Sequence, residues 1–109
     1  MNRTILILIL ILPTLLYSQS QLKGEITDAN NYIVANAEIK LSRSNYSRTT
    51  RTNGNGIYLF KSIPTGTYLL EVNTNKSVSF HQVILDSNYV TYDIQLKNEG
   101  DYELDEYGQ

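Results

Sequence analysis

The sequence predicts an all-β fold, a seven-stranded antiparallel Greek-key β-sandwich. Short stretches in which apolar and polar residues alternate recur along the chain, and turn-forming residues separate them at intervals of about ten residues. No stretch repeats its apolar residues with the 3.6-residue period of an amphipathic helix. The predicted strands are residues 22–28, 37–42, 48–52, 57–61, 67–72, 78–85 and 90–96.

The first three predicted strands differ in polarity. Leu22 and Ile26 share one face of the first strand, and apolar residues alternate in the same way from Ala37 to Leu41 in the second. Residues 48–52 are polar: their threonines favour an extended backbone, and their arginines discourage pairing with further strands. We therefore expect the third strand to lie at the edge of a sheet.

Residues 52–72 carry the clearest signals for turns and core. Asn53-Gly54-Asn55-Gly56 supplies residues that adopt a positive φ, which a tight hairpin needs, and Pro64-Thr65-Gly66 reverses the chain again. A period of two then puts the large apolar residues of both flanking strands on one face. The predicted core residues here and in the last strand are Tyr58, Phe60, Tyr68, Leu70, Val72 and Tyr92.

The last two predicted strands are unequally informative. Val90, Tyr92, Ile94 and Leu96 alternate with polar residues, so their strand has one buried face. In residues 78–85, apolar side chains occupy both parities. The sequence therefore leaves the facing of that strand open.

The N-terminus has the pattern of a secretion signal. Arg3 precedes an unbroken apolar run over residues 5–12, and small residues follow. This run is shorter than the roughly 18 residues of a membrane-spanning helix. We expect residues 1–20 to be a signal peptide cleaved after Ser20, with cleavage after Ser18 as the alternative. The chain has no cysteine, and therefore no disulfide. It is typical of an exported bacterial protein of the periplasm, outer-membrane surface or extracellular space.

Charge is distributed unevenly between two segments. Residues 21–97, the predicted domain, carry eight Lys or Arg and six Asp or Glu, whereas residues 98–109 carry five acids and no base. The few arginines do not form the basic stripe of a nucleic-acid-binding surface. We predict that residues 98–109 are an acidic, disordered tail, with Tyr102, Leu104 and Tyr107 as candidate partner-binding residues.

Four ordered motifs resemble the carboxypeptidase regulatory-like domain, a transthyretin-like β-sandwich found in secreted bacterial proteins. The family pattern is G-x-V-x-D, G-A-x-V-x-L, T-D-x-x-G-x-Y-x-F and P-x-G-x-Y-x-L. Two positions depart from it: Asn36 stands where glycine is usual, and Asn53 stands where aspartate is usual. The matching residues are Gly24, Asp28, Ala37, Thr52, Gly56, Tyr58, Phe60, Pro64, Gly66, Tyr68 and Leu70.

The resemblance implies a generic, non-catalytic module. Such domains stand at the N-terminus of TonB-dependent outer-membrane receptors or are attached to peptidases, so this chain would be a free-standing copy or a fragment. The hydroxyisourate hydrolases, enzymes of the transthyretin-like fold, use several histidines and end in Tyr-Arg-Gly-Ser. This chain has one histidine, His81, and ends in Glu106-Tyr107-Gly108-Gln109. It therefore departs from that enzymatic pattern.

We expect a secreted module for protein binding or scaffolding, accessory to an outer-membrane or cell-surface complex. A lone histidine without cysteine offers neither a nucleophile–base pair nor a metal ligand set, so we predict no enzymatic activity, cofactor or metal. We also expect a monomer with no nucleic-acid partner and no membrane span after signal cleavage. The alternative is a sandwich that binds carbohydrate or a small ligand on the loop tyrosines Tyr32, Tyr46 and Tyr89.

Overall fold

The computed structural model describes residues 18–97 of the chain, and these residues contain eight strands. Those residues include no helix long and apolar enough to cross a membrane. The predicted sandwich is confirmed, with one strand more than expected because residues 90–96 form two short strands. The tail prediction and most of the signal-peptide prediction lie outside the described residues. The strands are β1 (Gln19–Thr27), β2 (Glu38–Arg43), β3 (Tyr46–Arg51), β4 (Ile57–Pro64), β5 (Gly66–Asn73), β6 (Val78–Leu85), β7 (Tyr89–Thr91) and β8 (Ile94–Gln95).

The strands form two sheets of four. In the first sheet, β4 pairs antiparallel with one side of β1, and β7 and β8 pair with its other side. In the second sheet the order is β3-β2-β5-β6, and every pair is antiparallel. The polar strand β3 lies at an edge, as its threonines and arginines predicted. The opposite edge of the second sheet is β6.

The last two strands run parallel to β1, which differs from the wholly antiparallel arrangement predicted. β6 ends close to the start of β1, where the Ser20 hydroxyl donates to the carbonyl of Ser87 and the Gln21 N–H donates to the carbonyl of Asn88 at 2.8 Å. The chain therefore enters β7 beside the start of β1 and follows it in the same direction. Side-chain alternation reports which face is buried and not the strand direction, so the sequence did not reveal this pairing.

The break between β7 and β8 is bridged by side chains. The Glu25 N–H donates to Oδ1 of Asp93 at 2.8 Å, and the Tyr58 hydroxyl donates to the carbonyl of Tyr92 at 2.6 Å. Gly24 leaves the room that these contacts need, because a Cβ there would overlap both the Tyr92 carbonyl oxygen and the Tyr58 ring. The motif glycine of β1 and the motif tyrosine of β4 thus serve the same junction.

The core between the sheets contains the aromatic residues that the alternation predicted. The residues Tyr58, Phe60, Tyr68, Leu70 and Val72 are buried, together with apolar side chains of the other strands that complete the core. Tyr92 is half-buried and packs at the margin of this core. Burying an aromatic ring stabilises the fold by about 2–3 kcal/mol, which matters in a small domain without disulfides.

Candidate binding surface

Asp28 and Asn53 each close a turn through a side-chain oxygen. In both cases Oδ1 accepts hydrogen bonds from the backbone N–H groups two and four residues later, at 2.8 and 3.0 Å. An amide oxygen accepts these bonds as a carboxylate oxygen does. Asn53 therefore fills the role of the aspartate that the family motif usually has at this position.

Thr52 fixes the loop that precedes β2. Its buried Oγ1 donates to the carbonyl of Val34 at 2.7 Å and accepts from the N–H of Ala37 at 2.8 Å. Between them, Asn36 has a φ of 63°, a left-handed conformation that asparagine tolerates better than most residues. This explains how asparagine stands where the family pattern has glycine.

The Pro64-x-Gly66-x-Tyr68 motif builds one packed corner. The Tyr68 hydroxyl donates to the carbonyl of Pro64 at 2.6 Å, and the Arg43 guanidinium lies 4.6 Å from the centre of the Tyr68 ring. Arg43 also donates to the carbonyl of Thr65 at 3.2 Å, and a Cβ on Gly66 would overlap its guanidinium. Burial raises the pKa of the Tyr68 hydroxyl, whereas the nearby Arg43 lowers it. These motif residues have structural roles.

The buried Tyr58 hydroxyl is held in its neutral form. Burial raises its pKa well above the ordinary value of 10.0, and the charges of Asp93 and Tyr92 raise it further. Because the hydroxyl donates a hydrogen bond to the Tyr92 carbonyl, the junction between β7 and β8 also requires the neutral form of Tyr58.

His81 takes part in strand packing. Its Nε2 is 3.0 Å from the hydroxyl oxygen of Ser79, and its ring centre is 6.0 Å from that of Tyr92 in an edge-on arrangement. Within residues 18–97, no group of three or more His, Cys, Asp or Glu residues is placed to hold a metal ion.

The three candidate tyrosines for a sugar platform are not equivalent. Tyr32 is 70% exposed. Tyr89 is 76% exposed, but it is the first residue of β7 and not a loop residue as predicted. Tyr46 is the first residue of β3 rather than a loop residue, and its half-buried ring packs edge-on against Tyr68 at 5.7 Å. Its assignment as an exposed loop tyrosine was therefore wrong.

Tyr32 and Tyr89 also lie too far apart to share a ligand. Gln21 of β1 pairs with Tyr89, whereas Thr27 bridges to Ile33, next to Tyr32. Six residues of strand separate these positions, which is about 20 Å. The tail candidates Tyr102, Leu104 and Tyr107 lie outside the described residues.

The facing of β6, which the sequence left open, produces an exposed apolar surface. β6 pairs with β5 so that Val83 lies opposite Tyr68 and Leu85 opposite Gly66, and these two β6 residues are buried. The alternate residues Val78, Phe80 and Ile84 are 54%, 54% and 57% exposed.

Leu69 of β5 joins these three residues into one patch on the outer face of the second sheet. It is 44% exposed and lies opposite Gln82. It is therefore diagonal to Phe80 and Ile84, within reach of both side chains. We call Leu69, Val78, Phe80 and Ile84 the outer patch. Sequence reasoning missed it because the pairing register with β5 decides which parity of β6 is buried.

The family model of the carboxypeptidase regulatory-like domain matches residues 21–97 of this chain. Its match covers every strand of both sheets except the first two residues of β1. A comparison with curated proteins finds no match.

Solved structures with the same fold come from several kinds of protein. The Bacillus anthracis TIE protein is 18% identical with a TM-score of 0.59, over 74% of this chain and 17% of that one. Catechol 1,2-dioxygenase from Pseudomonas arvilla is 12% identical with a TM-score of 0.65, over 78% of this chain and 54% of the enzyme. The 5-hydroxyisourate hydrolase of Klebsiella pneumoniae is 16% identical with a TM-score of 0.63, over 77% and 94%.

At these identities the similarity shows the fold alone. The chain spans less than a fifth of the Bacillus protein and about half of the dioxygenase. The same sandwich thus occurs both as an enzyme and as part of longer chains, and the function of this chain has to be argued from its own surface.

Proposed function

Because the chain belongs to the carboxypeptidase regulatory-like domain family, we propose that it is an exported, non-catalytic module that binds or scaffolds another protein. Its setting would be a bacterial outer-membrane or cell-surface complex. The roles of the motif residues support this proposal, since Gly24, Thr52 and Tyr68 hold the fold through close approach, hydrogen bonds and packing. Binding is then left to surfaces outside the motifs.

The outer patch is the observation that carries the proposal. Contiguous apolar side chains on an otherwise polar surface mark sites of protein interaction. Complete burial of a Val, Ile or Phe side chain contributes about 1.5–3 kcal/mol. Val78, Phe80 and Ile84 are each about half exposed. A partner that covers them would therefore gain roughly 1 kcal/mol for each of these three residues.

The proposed export fits the start of β1. This strand begins at Gln19, and Ser20 is buried with its hydroxyl bonded to the carbonyl of Ser87. Signal cleavage after Ser18 would keep β1 whole, whereas cleavage after Ser20 would remove two of its residues. Of the two cleavage positions that the sequence leaves open, we therefore propose the one after Ser18.

The test is site-specific photo-crosslinking in cells that export the protein. A photoreactive amino acid replaces Phe80 in the outer patch, and a matched variant carries it at Leu59, an exposed residue on the outer face of the first sheet. We expect a covalent adduct with another polypeptide from position 80 and none from position 59. No adduct at position 80, or equal adducts at both positions, would contradict the proposal.

Carbohydrate binding is the second candidate, and the exposure of Tyr32 and Tyr89 is the observation that favours it. Each ring would have to act alone because about 20 Å separates them along β1. A glycan array with Tyr32→Ala and Tyr89→Ala separates the candidates. Sugar binding that one of these substitutions abolishes supports this role, and an array without binding removes it. Tyr46→Ala is unsuitable because Tyr46 packs against the core residue Tyr68.

A further inference from the structure

We propose that the exported chain begins with a pyroglutamyl residue, formed when the freed α-amino group of Gln19 closes on its own side-chain amide. The resulting lactam caps β1, which lies between β4 and β7 in the first sheet, and protects it from aminopeptidases. This inference rests on the proposed export and on signal cleavage after Ser18. It is independent of what binds the outer patch.

The sequence at the start of the domain exposes a glutamine at either cleavage position. Ser18-Gln19-Ser20-Gln21 repeats one dipeptide, so cleavage after its first serine leaves Gln19 at the N-terminus and cleavage after its second leaves Gln21. Cyclisation needs a terminal glutamine, because inside a chain the nitrogen belongs to a planar amide with a delocalised lone pair. A free α-amino group titrates near neutral pH, so a share of it has the lone pair available. Signal cleavage is therefore the step that makes Gln19 reactive.

The ring closure is balanced without any co-reactant. The α-amino nitrogen of Gln19 attacks the side-chain carbonyl carbon Cδ, and the new N–Cδ bond closes a five-membered ring. The Cδ–Nε2 bond breaks, and Nε2 leaves as ammonia with a proton from the attacking amine. No atom is oxidised or reduced. The product carries a neutral lactam where the chain had an α-amino group and a side-chain amide, so the terminal charge is lost.

The structure leaves both reacting groups of Gln19 accessible. The residue is exposed, whereas Ser20 beside it is buried. Bonded and non-bonded pairs alternate along an antiparallel ladder, and the Thr65 N–H donates to the carbonyl of Ser18 at 3.2 Å. The next pair, Gln19 and Pro64, is therefore a non-bonded one. The Gln19 nitrogen points away from β4, so ring closure breaks no hydrogen bond between β1 and β4.

The lactam also suits the charge around this end of β1. Gln19 lines a surface hollow together with Lys61, an exposed residue of β4. Cleavage alone would put an α-ammonium group at the same hollow as the Lys61 ammonium group. Since like charges repel, the neutral lactam removes an unfavourable interaction that the free N-terminus would have.

A capped Gln19 protects the anchor of β1. Aminopeptidases bind a free α-amino group and remove one residue at a time. After Gln19, the next residue to be removed would be Ser20, whose hydroxyl donates to the carbonyl of Ser87. Loss of Ser20 would remove this bond between the start of β1 and the segment that leads into β7. The lactam offers no amine to such enzymes, so β1 keeps its full length.

The test is mass spectrometry of the freshly isolated exported chain and of its N-terminal peptide. We expect the calculated mass of residues 19–109 less about 17 Da, the mass of ammonia, with the difference confined to the N-terminal peptide. The matched variant is Gln19→Asn, which keeps a side-chain amide but would have to close a strained four-membered ring. This variant should have its full calculated mass.

A second measurement follows trimming by an aminopeptidase added to the two exported proteins. The wild-type chain should keep residues 19 and 20, whereas the Gln19→Asn variant should lose them. Equal trimming of the two chains would overturn the protective role of the lactam.

Each outcome separates this inference from the proposed function. A chain that starts at Gln19 with its full calculated mass overturns the lactam and leaves the proposed export standing. A chain that starts at Gln21 overturns the assignment to Gln19. A chain that retains residues 1–18 overturns both the export and the lactam. The crosslinker at Phe80 tests the binding role of the outer patch, and its result does not depend on the N-terminal residue.

Discussion

Tyr68 gives the sharpest test of how the second sheet is held to the core. Its ring packs edge-on against that of Tyr46, with 5.7 Å between the ring centres, and the Arg43 guanidinium lies 4.6 Å from the centre of the Tyr68 ring. The Tyr68 hydroxyl donates to the carbonyl of Pro64 at 2.6 Å. Tyr68→Phe removes the hydrogen bond and keeps the ring. Tyr68→Ala removes both and leaves a cavity.

The magnitudes follow from these contacts. Tyr68→Phe leaves the part-buried Pro64 carbonyl without the hydroxyl that donates to it, which costs about 1–2 kcal/mol. Tyr68→Ala loses the buried ring and creates a cavity, which costs about 3–5 kcal/mol. A domain of this size has a total stability of about 4–12 kcal/mol. The alanine variant should therefore be close to unfolded, or have a urea midpoint lower by several molar units, since the slope is about 1 kcal/mol per molar urea.

The assay is urea unfolding followed by far-UV circular dichroism, because the chain has no tryptophan. The matched control is Tyr89→Ala, which removes the same group from a position that is 76% exposed. That substitution should change stability by less than about 0.5 kcal/mol. Equal effects of Tyr68→Ala and Tyr89→Ala, or an unchanged midpoint in the former, would refute the buried placement of Tyr68.

Three further predictions concern the first sheet and its start. Stability should fall above pH 10, by up to about 1.4 kcal/mol per pH unit, because the unfolded chain releases the Tyr58 proton at a pH at which the folded chain still holds it. Tyr58→Phe should flatten this fall in a pH series of urea midpoints, and an unchanged slope would contradict it. Gly24→Ala should lower the free energy of unfolding by about 1–3 kcal/mol or more, because the added Cβ overlaps the Tyr92 carbonyl oxygen and the Tyr58 ring. A Gly24→Ala variant with the wild-type urea midpoint would contradict the close approach of these groups to Gly24. The intact mass of the exported protein should correspond to cleavage after Ser18, and a mass that starts at Gln21 would exclude an intact β1.

The buried face of residues 57–72 was predictable because turn residues fix where each strand begins. Once Gly56 and Gly66 end their turns, a period of two decides that Tyr58 and Tyr68 face inward. β6 lacks such a constraint, since apolar residues occupy both of its parities. Only its pairing with β5, which places Val83 opposite Tyr68, decides which side is buried. The outer patch was therefore beyond the reach of the sequence.

The break between β7 and β8 was missed for a different physical reason. Alternation continues through Tyr92 and Asp93, so the pattern predicts one strand. The interruption comes from tertiary hydrogen bonds. The Tyr58 hydroxyl donates to the Tyr92 carbonyl, and the Asp93 carboxylate accepts from the Glu25 N–H. Similarly, Tyr46 reads as a turn residue in the sequence, and its contact with Tyr68 exists only after β3 pairs with β2.

The central claim, that the outer patch binds another polypeptide, is tested most directly by photo-crosslinking of the exported chain in cells. A photoreactive amino acid at Phe80, which is 54% exposed, is compared with one at Leu59 on the outer face of the first sheet. The account predicts a covalent adduct with another polypeptide from position 80 and none from position 59. No adduct from position 80, or equal adducts from both positions, would contradict the account.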